Sequence, residues 1–191
     1  MDIASFLIYC TIATFTPGPT NIVILSIVNQ SGAKKAMNYS YGATAGFGLL
    51  LAVSAALNTV LVTILPKILL TMQVVGSMYM LYLAYLMFRK HTSNPTEVQA
   101  ATFISGFLMQ FLNPKVVLFT LTVIPAFILP YYHAVPAVII SILAITGIGF
   151  MAFTTWVLFG TIFREFLQKH NKVVNIAMAG LLVYAAIMVW K

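Results

Sequence analysis

The chain has one cysteine, three acidic residues and little charge of either sign, and each shortage removes a class of protein. With Cys10 alone, an internal disulfide, a CxxC redox pair, a multi-cysteine metal site and a two-cysteine thiol-electron carrier are excluded. Cys10 reads instead as a small apolar filler in a helix. Charged residues are 7% of the 191 positions and hydrophobic residues 61%, too little polar cover for a water-soluble core and the balance of an integral membrane protein. The formal charge of +7 comes from basic residues scattered over short loops, which make no nucleic-acid-binding face. A basic n-region is absent: Asp2 follows Met1 and the next apolar run outlasts an h-region, so a cleavable signal peptide is not expected. No HExxH, GxSxG, GxGD or clustered acid/base set occurs, and His91, His133 and His170 fall between apolar runs. No catalytic residue, metal site or cofactor is therefore expected, and the chain does not read as an enzyme.

What is present is a series of apolar runs of about 20 residues, the length that crosses the hydrocarbon of a bilayer as a helix. Six are expected, at Ile3 to Val28, Tyr39 to Leu65, Ile68 to Phe88, Phe103 to Leu129, Val135 to Phe163 and Val173 to Val189. They are separated by "NQSGAKKAMN", Pro66-Lys67, "RKHTSNPTEVQA", "PYYHA" and "REFLQKHNK", none long enough to be a domain. Backbone polar groups in lipid must be paired within the segment, so residues 1–191 read as one all-α membrane domain of six helices.

Two runs are interrupted near their centres. "TFTPGPTNIV" breaks the first at Pro17, Gly18 and Pro19, and "QFLNPKVVLF" breaks the fourth at Asn113, Pro114 and Lys115. Six spans divide three and three, and because three is odd the second half is inverted relative to the first. Weak echoes agree: Gly42, Gly46 and Gly48 in the second run match Gly147 and Gly149 in the fifth, and "GSMYMLYL" in the third resembles "GLLVYAAI" in the sixth. The pattern is that of a 3+3 inverted repeat, roughly residues 1–90 and 101–191, whose discontinuous helices meet near the midplane at a substrate site.

Proline lacks the N–H and clashes with the turn before it, so Pro17, Pro19 and Pro114 end one helix and permit another to start. Each new start aims free N–H groups and partial positive charge inward. Gly18 lets the backbone bend and approach a ligand. Two such termini and the Lys115 ammonium suit a carboxylate, while Thr16, Asn21, Gln110 and Asn113 are placed to bond the rest of a small zwitterion. A second reading puts Lys115 at the cytoplasmic end of a shorter helix, Val116 to Val135, with Phe103 to Leu112 on the membrane surface. Against it, that helix would contain Pro125, Pro130 and His133, and "FISGFLMQFL" lacks a basic polar face. A deep Lys115 costs about 3 kcal/mol to bury, which calls for a partner or ligand. Asn58 and Gln73 read as helix-helix glue, Trp156 and the tyrosines as packing or interface anchors, and Gly42 with Gly46 as a close-approach face.

"TPGPTN", "NPK", "SGAKKAMNYSYGATAGF", "SGFLMQFLNPKVVL" and "NIAMAGLLVYAAI" resemble the LysE/RhtB family of amino-acid exporters over the whole chain, most closely the branch that contains the cysteine/O-acetylserine exporter. The resemblance implies a secondary transporter of the cell inner membrane that exports small amino acids, driven by the proton gradient. It marks Thr16, Pro17, Gly18, Pro19 and Asn21, then Asn113, Pro114 and Lys115. The family often has asparagine where this chain has Thr20, which puts that contact at risk. No intramembrane acid exists to carry protons, since Asp2, Glu97 and Glu165 map to ends and loops. Coupling therefore falls to Lys115, to a proton carried by the substrate, or is absent, and a neutral substrate is favoured over a cation that would want a counter-charge. A channel, or a structural subunit of a membrane complex, is the alternative to a carrier. The partners expected are a small amino acid, protons and the lipid bilayer, with homo-oligomerisation open and no nucleic acid.

Orientation follows from basic residues in the short loops. Lys34, Lys35, Arg89, Lys90, Arg164, Lys169 and Lys172 lie on one side, and only Lys67 and Lys191 on the other, so the first side is cytoplasmic and both termini are outside. A reporter active only in the cytoplasm is expected to stay inactive when fused to either terminus; activity there would reverse the orientation.

Overall fold

The computed structural model describes residues 3–57, 71, 73–86, 101–188 and 190, and among them the chain is helix and turn with no strand. Asp2, Asn58, Pro66, Lys67, Arg89, Lys90, His91, Glu97 and Lys191 lie outside the described residues. The first apolar run forms α1 (Ile3–Phe15) and α2 (Pro19–Ser31), bent by 47°. Pro17 and Pro19 have no N–H to give Ala13 and Phe15, the carbonyls four residues back, so the ladder stops there. α2 restarts on Pro19, where the missing donor costs nothing. α3 (Ala33–Ala56) follows after a single residue. Gly32 has φ +85°, a backbone state that disfavours a side chain, and its N–H closes α2 by donating to Ile27 and Val28 carbonyls at 3.2 and 3.0 Å. The break expected at "NQSGAKKAMN" is thus a one-residue hinge, with Lys34 and Lys35 in the first turn of α3. Polar residues end an apolar run, but only the left-handed glycine ends the helix.

After α4 (Gln73–Leu86) come α5 (Phe103–Leu112) and α6 (Pro114–Val123), the latter continued by a π-helical turn, Ile124–Ile128, that accommodates Pro125. α5 and the α6 unit are bent by 69°. α7 (Val135–Ile162), a short α8 (Arg164–Lys169) and α9 (Asn171–Met188) complete the order. The connection expected at "REFLQKHNK" is therefore mostly helical. Among the described residues, α7 and α9 are long and apolar enough to cross a membrane, and there are up to four spans if each bent pair counts as one. α3 has the length, 24 residues, but also Tyr39, Ser40, Tyr41 and Thr44, and α4 is apolar but shorter.

Large apolar side chains cover the outside as well as the inside. Gln110, Asn113, Thr20, Asn21 and Thr120 are buried, while Ile162, Ile140, Leu143 and Leu158 stand on the outside. Hydrocarbon makes the outer apolar face free of cost and the inner polar groups the ones needing partners. Two apolar cores hold the helices together. One joins Ala36, Tyr39 and Ala43 of α3 to Ile24 and Val28 of α2, Phe153 and Val157 of α7, and Leu182 of α9. The other joins Phe47 and Leu51, further along α3, to Phe6 and Cys10 of α1, Phe119 and Val123 of α6, and Ile145 of α7. Cys10 is a buried packing residue. The interruptions between α1 and α2 and between α5 and α6 fall where one core gives way to the other.

α3 and α5 touch backbone to backbone. A Cβ on Gly42 would lie 1.8 Å from the Phe103 carbonyl oxygen, one on Gly106 2.0 Å from that of Tyr39, and one on Gly46 2.6 Å from that of Phe107. Three glycines, Gly42 and Gly46 of α3 and Gly106 of α5, thus carry the contact between the two helices. Such contact maximises dispersion where the hydrophobic effect gives no drive. Gly106→Ala and Gly42→Ala are each expected to lower stability by about 1–3 kcal/mol or to prevent accumulation, through overpacking. Gly147→Ala and Gly180→Ala, with no neighbour within 4 Å of the added carbon, should leave the midpoint of thermal unfolding in detergent unchanged or slightly raised.

Candidate functional site

A helix that stops leaves its last carbonyls without intrahelical partners. At the end of α1 each is supplied. Ile12 accepts from the Thr16 N–H at 3.1 Å and the Thr16 hydroxyl at 2.8 Å, and Ala13 accepts from that hydroxyl at 3.4 Å. The Asn21 Nδ2 donates to the carbonyls of Thr14 at 3.2 Å and Thr16 at 3.0 Å. The Trp156 indole N–H, from α7, donates to Phe15 at 3.1 Å. Lys115, from α6, sends its Nζ to both the carbonyl and the hydroxyl of Thr16, each at 2.9 Å. Its positive charge therefore sits at the negative end of α1, where a helix dipole favours a cation.

The second interruption is tied to the first by amides. Asn113, in the extended conformation that suits a residue before proline, caps α6 by accepting from the Lys115 backbone N–H at 3.1 Å. Its Nδ2 donates to the Thr20 hydroxyl oxygen at 2.9 Å. The Gln110 Nε2 reaches the same oxygen at 3.3 Å and its own helix at Gly106 at 3.1 Å. Thr20, in the first turn of α2, thus joins both breaks. α4 approaches at Gly76, where a Cβ would lie 2.8 Å from the Leu112 carbonyl oxygen and 2.9 Å from the Pro114 ring.

Between the breaks lies a cavity of about 30 Å³, lined mostly by apolar surface, to which Ala13, Thr14, Gly18, Thr20, Asn21, Asn113 and Lys115 contribute together with Phe47, Val116, Phe119 and Phe153. That volume holds about one or two waters and no amino acid, so a larger occupant requires side chains to move. Lys115 is the single ionisable group among the lining residues. Of the residues singled out in the sequence, Gly18, Asn21, Asn113 and Lys115 line the cavity, while Thr16 and Gln110 bond to its lining residues. Pro19 and Pro114 begin α2 and α6 and are buried, whereas Pro17 is exposed.

Gly18 differs from expectation in its reason. Its φ of −158° and ψ of 174° are extended backbone open to any residue. What the missing side chain provides is room, since a Cβ there would lie 3.1 Å from the Lys115 Cδ and 3.2 Å from its Nζ. Thr20, expected only as a lost contact, accepts from both amides of the second break. Trp156, expected as packing or an interface anchor, donates to the end of α1. Sequence offers no signal for either, because their partners are 93 and 141 residues away. Among the described residues no group of three or more His, Cys, Asp or Glu could hold a metal ion.

The chain is 31% identical over 189 residues to a cysteine/O-acetylserine efflux protein of Klebsiella pneumoniae subsp. pneumoniae, an alignment covering 98% of this chain and 96% of that protein. It is 28% identical over 193 residues to the cysteine/O-acetylserine efflux proteins of Escherichia coli K12 and Shigella sonnei, covering 98% of this chain and 97% of each. No solved structure matches it. The LysE type translocator family matches residues 11–190. The chain is a multi-pass membrane transporter, not an enzyme, and belongs to the LysE type translocator family.

Proposed function

We propose that this translocator exports small neutral amino acids or their derivatives, cysteine and O-acetylserine among them, from the cytoplasm across the inner membrane. The observation that carries the reading is that Lys115, beside the second helix break and lining the cavity, bonds directly to Thr16 at the first. A six-span, 3+3 inverted repeat within one domain, residues 1–90 and 101–191, with both termini outside, would bring the breaks together near the midplane from opposite directions. Two features support that depth: Thr16–Gly18 separates two helices of 13 residues each, and α5 packs backbone to backbone against α3 at Gly42, Gly46 and Gly106. The near full-length similarity to proteins named for cysteine and O-acetylserine efflux supports the substrate class.

In this reading the substrate carboxylate takes over the Lys115 ammonium from Thr16, aided by the N-termini of α2 and α6. Gly18, Thr20, Asn21 and Asn113 shape the polar wall, and Thr16 receives the ammonium back when the site empties. Pro17, Pro19 and Pro114 hold the breaks open. With no acidic group among the lining residues, a proton-coupled cycle runs through Lys115. Phe47, Phe119 and Phe153 offer the substrate side chain an apolar wall.

Purified protein in proteoliposomes is expected to give saturable counterflow of labelled against unlabelled cysteine; flux that does not saturate would indicate a channel. Lys115→Ala should lower that counterflow by about tenfold or more, the loss of one charge-assisted hydrogen bond to the substrate. Unchanged counterflow in a variant of normal thermal stability would remove Lys115 from the mechanism.

A further inference from the structure

We propose that the Oδ1 of Asn21 is the acceptor for the substrate's ammonium group, so that Asn21 and Lys115 together select α-amino acids. This rests on the transport reading above and assigns the half of the zwitterion that Lys115 cannot hold. The amide of Asn21 has a fixed orientation, because its Nδ2 donates to two carbonyl oxygens, those of Thr14 and Thr16, and only a nitrogen can do so. The oxygen is thereby left as a pure acceptor. It is buried, on a residue 3% exposed that lines the cavity, and it has no hydrogen-bond partner among the described residues.

An unpaired buried acceptor costs about 1–3 kcal/mol, and in a site that opens to take a ligand that cost is recovered when a donor arrives. An ammonium is such a donor. The other amides around the junction do not offer the same combination: the Asn113 oxygen accepts from the Lys115 N–H, and Gln110, whose oxygen is also unpaired, is not among the lining residues. Lys115 repels a second cation, so the ammonium needs a neutral acceptor beside it. The Asn21 amide and the Lys115 ammonium both bond to the Thr16 carbonyl, which makes them immediate neighbours. A carboxylate on Lys115 and an ammonium on Asn21 must therefore be close together in the ligand, as they are when both are carried on one carbon. A β- or γ-amino acid separates them too far.

The test is competition against counterflow of labelled L-cysteine in proteoliposomes, comparing unlabelled L-cysteine with 3-mercaptopropionate, in which a hydrogen replaces the ammonium group and no donor is left at that carbon. Wild type is expected to prefer cysteine by about tenfold or more, as sites built around a substrate hydrogen bond do. In Asn21→Ala the preference should fall to within about threefold, whereas a merely structural role would weaken both competitors alike and leave their ratio unchanged. Asn21→Gln keeps both the amide donor and the oxygen acceptor and should retain the preference; it also serves if Asn21→Ala does not fold. Equal inhibition by the two compounds in wild type, or an unchanged ratio in Asn21→Ala, would overturn the proposal while leaving transport itself intact. Absence of saturable cysteine counterflow in wild type would instead refute the reading on which it rests.

Discussion

Interrupting a helix strands its last carbonyls, and the arrangement of this molecule follows from where their donors come from. Pro17 and Pro19 withhold two N–H groups from α1. The replacements arrive from three other elements: Asn21 from α2, Trp156 from α7 and Lys115 from α6. Each buried carbonyl left unmet would cost about 1–3 kcal/mol, so these donors help to fix the positions of their helices. The same bonds bring Thr16, Thr20, Asn21, Asn113 and Lys115 together beside one small cavity. The cavity is thereby a by-product of satisfying the backbone.

That economy has a dynamic consequence. Donors that cap a helix end are available to a ligand only if it offers better acceptors, and a carboxylate is a stronger acceptor for an ammonium than a carbonyl and a hydroxyl are. Lys115 is the donor best suited to exchange, being a flexible side chain held only at its tip and given room by Gly18. Trp156 is a rigid ring on the longest helix and suits a fixed support. α3 is the spine around which such movement would occur, since its glycines lock α5 while Gly48 and Phe47 meet Thr146 and Gly149 of α7.

What the sequence discloses here is what local chemistry decides. A proline cannot donate and the residue before it leaves the helical region, so helix boundaries at Phe15 and Pro19, or at Leu112 and Pro114, follow from a few adjacent residues. The apolar composition alone likewise predicts a membrane protein. The hinge at Gly32 is harder to read, because "NQSGAKKAMN" looks like a polar loop until the positive φ of one glycine is known. Thr20 and Trp156 are illegible for a different reason. Their roles depend on which helix faces which, and that is settled by close contacts such as Gly106 against Tyr39, whose partners lie far apart in the chain. Gly18 was legible as important, but its function as space for Lys115 needed the position of that side chain.

The claim that the two helix breaks hold each other is tested most directly by a double-mutant cycle on the amide that joins them, Asn113 to Thr20. Unfolding free energies in mixed micelles would be measured for Thr20→Val, Asn113→Leu and the double variant. The account predicts non-additivity of about 0.5–3 kcal/mol, the double variant losing less than the sum of the singles, as for residues sharing a buried hydrogen bond. Strict additivity, within about 0.3 kcal/mol, would mean that the breaks do not depend on each other and would contradict it.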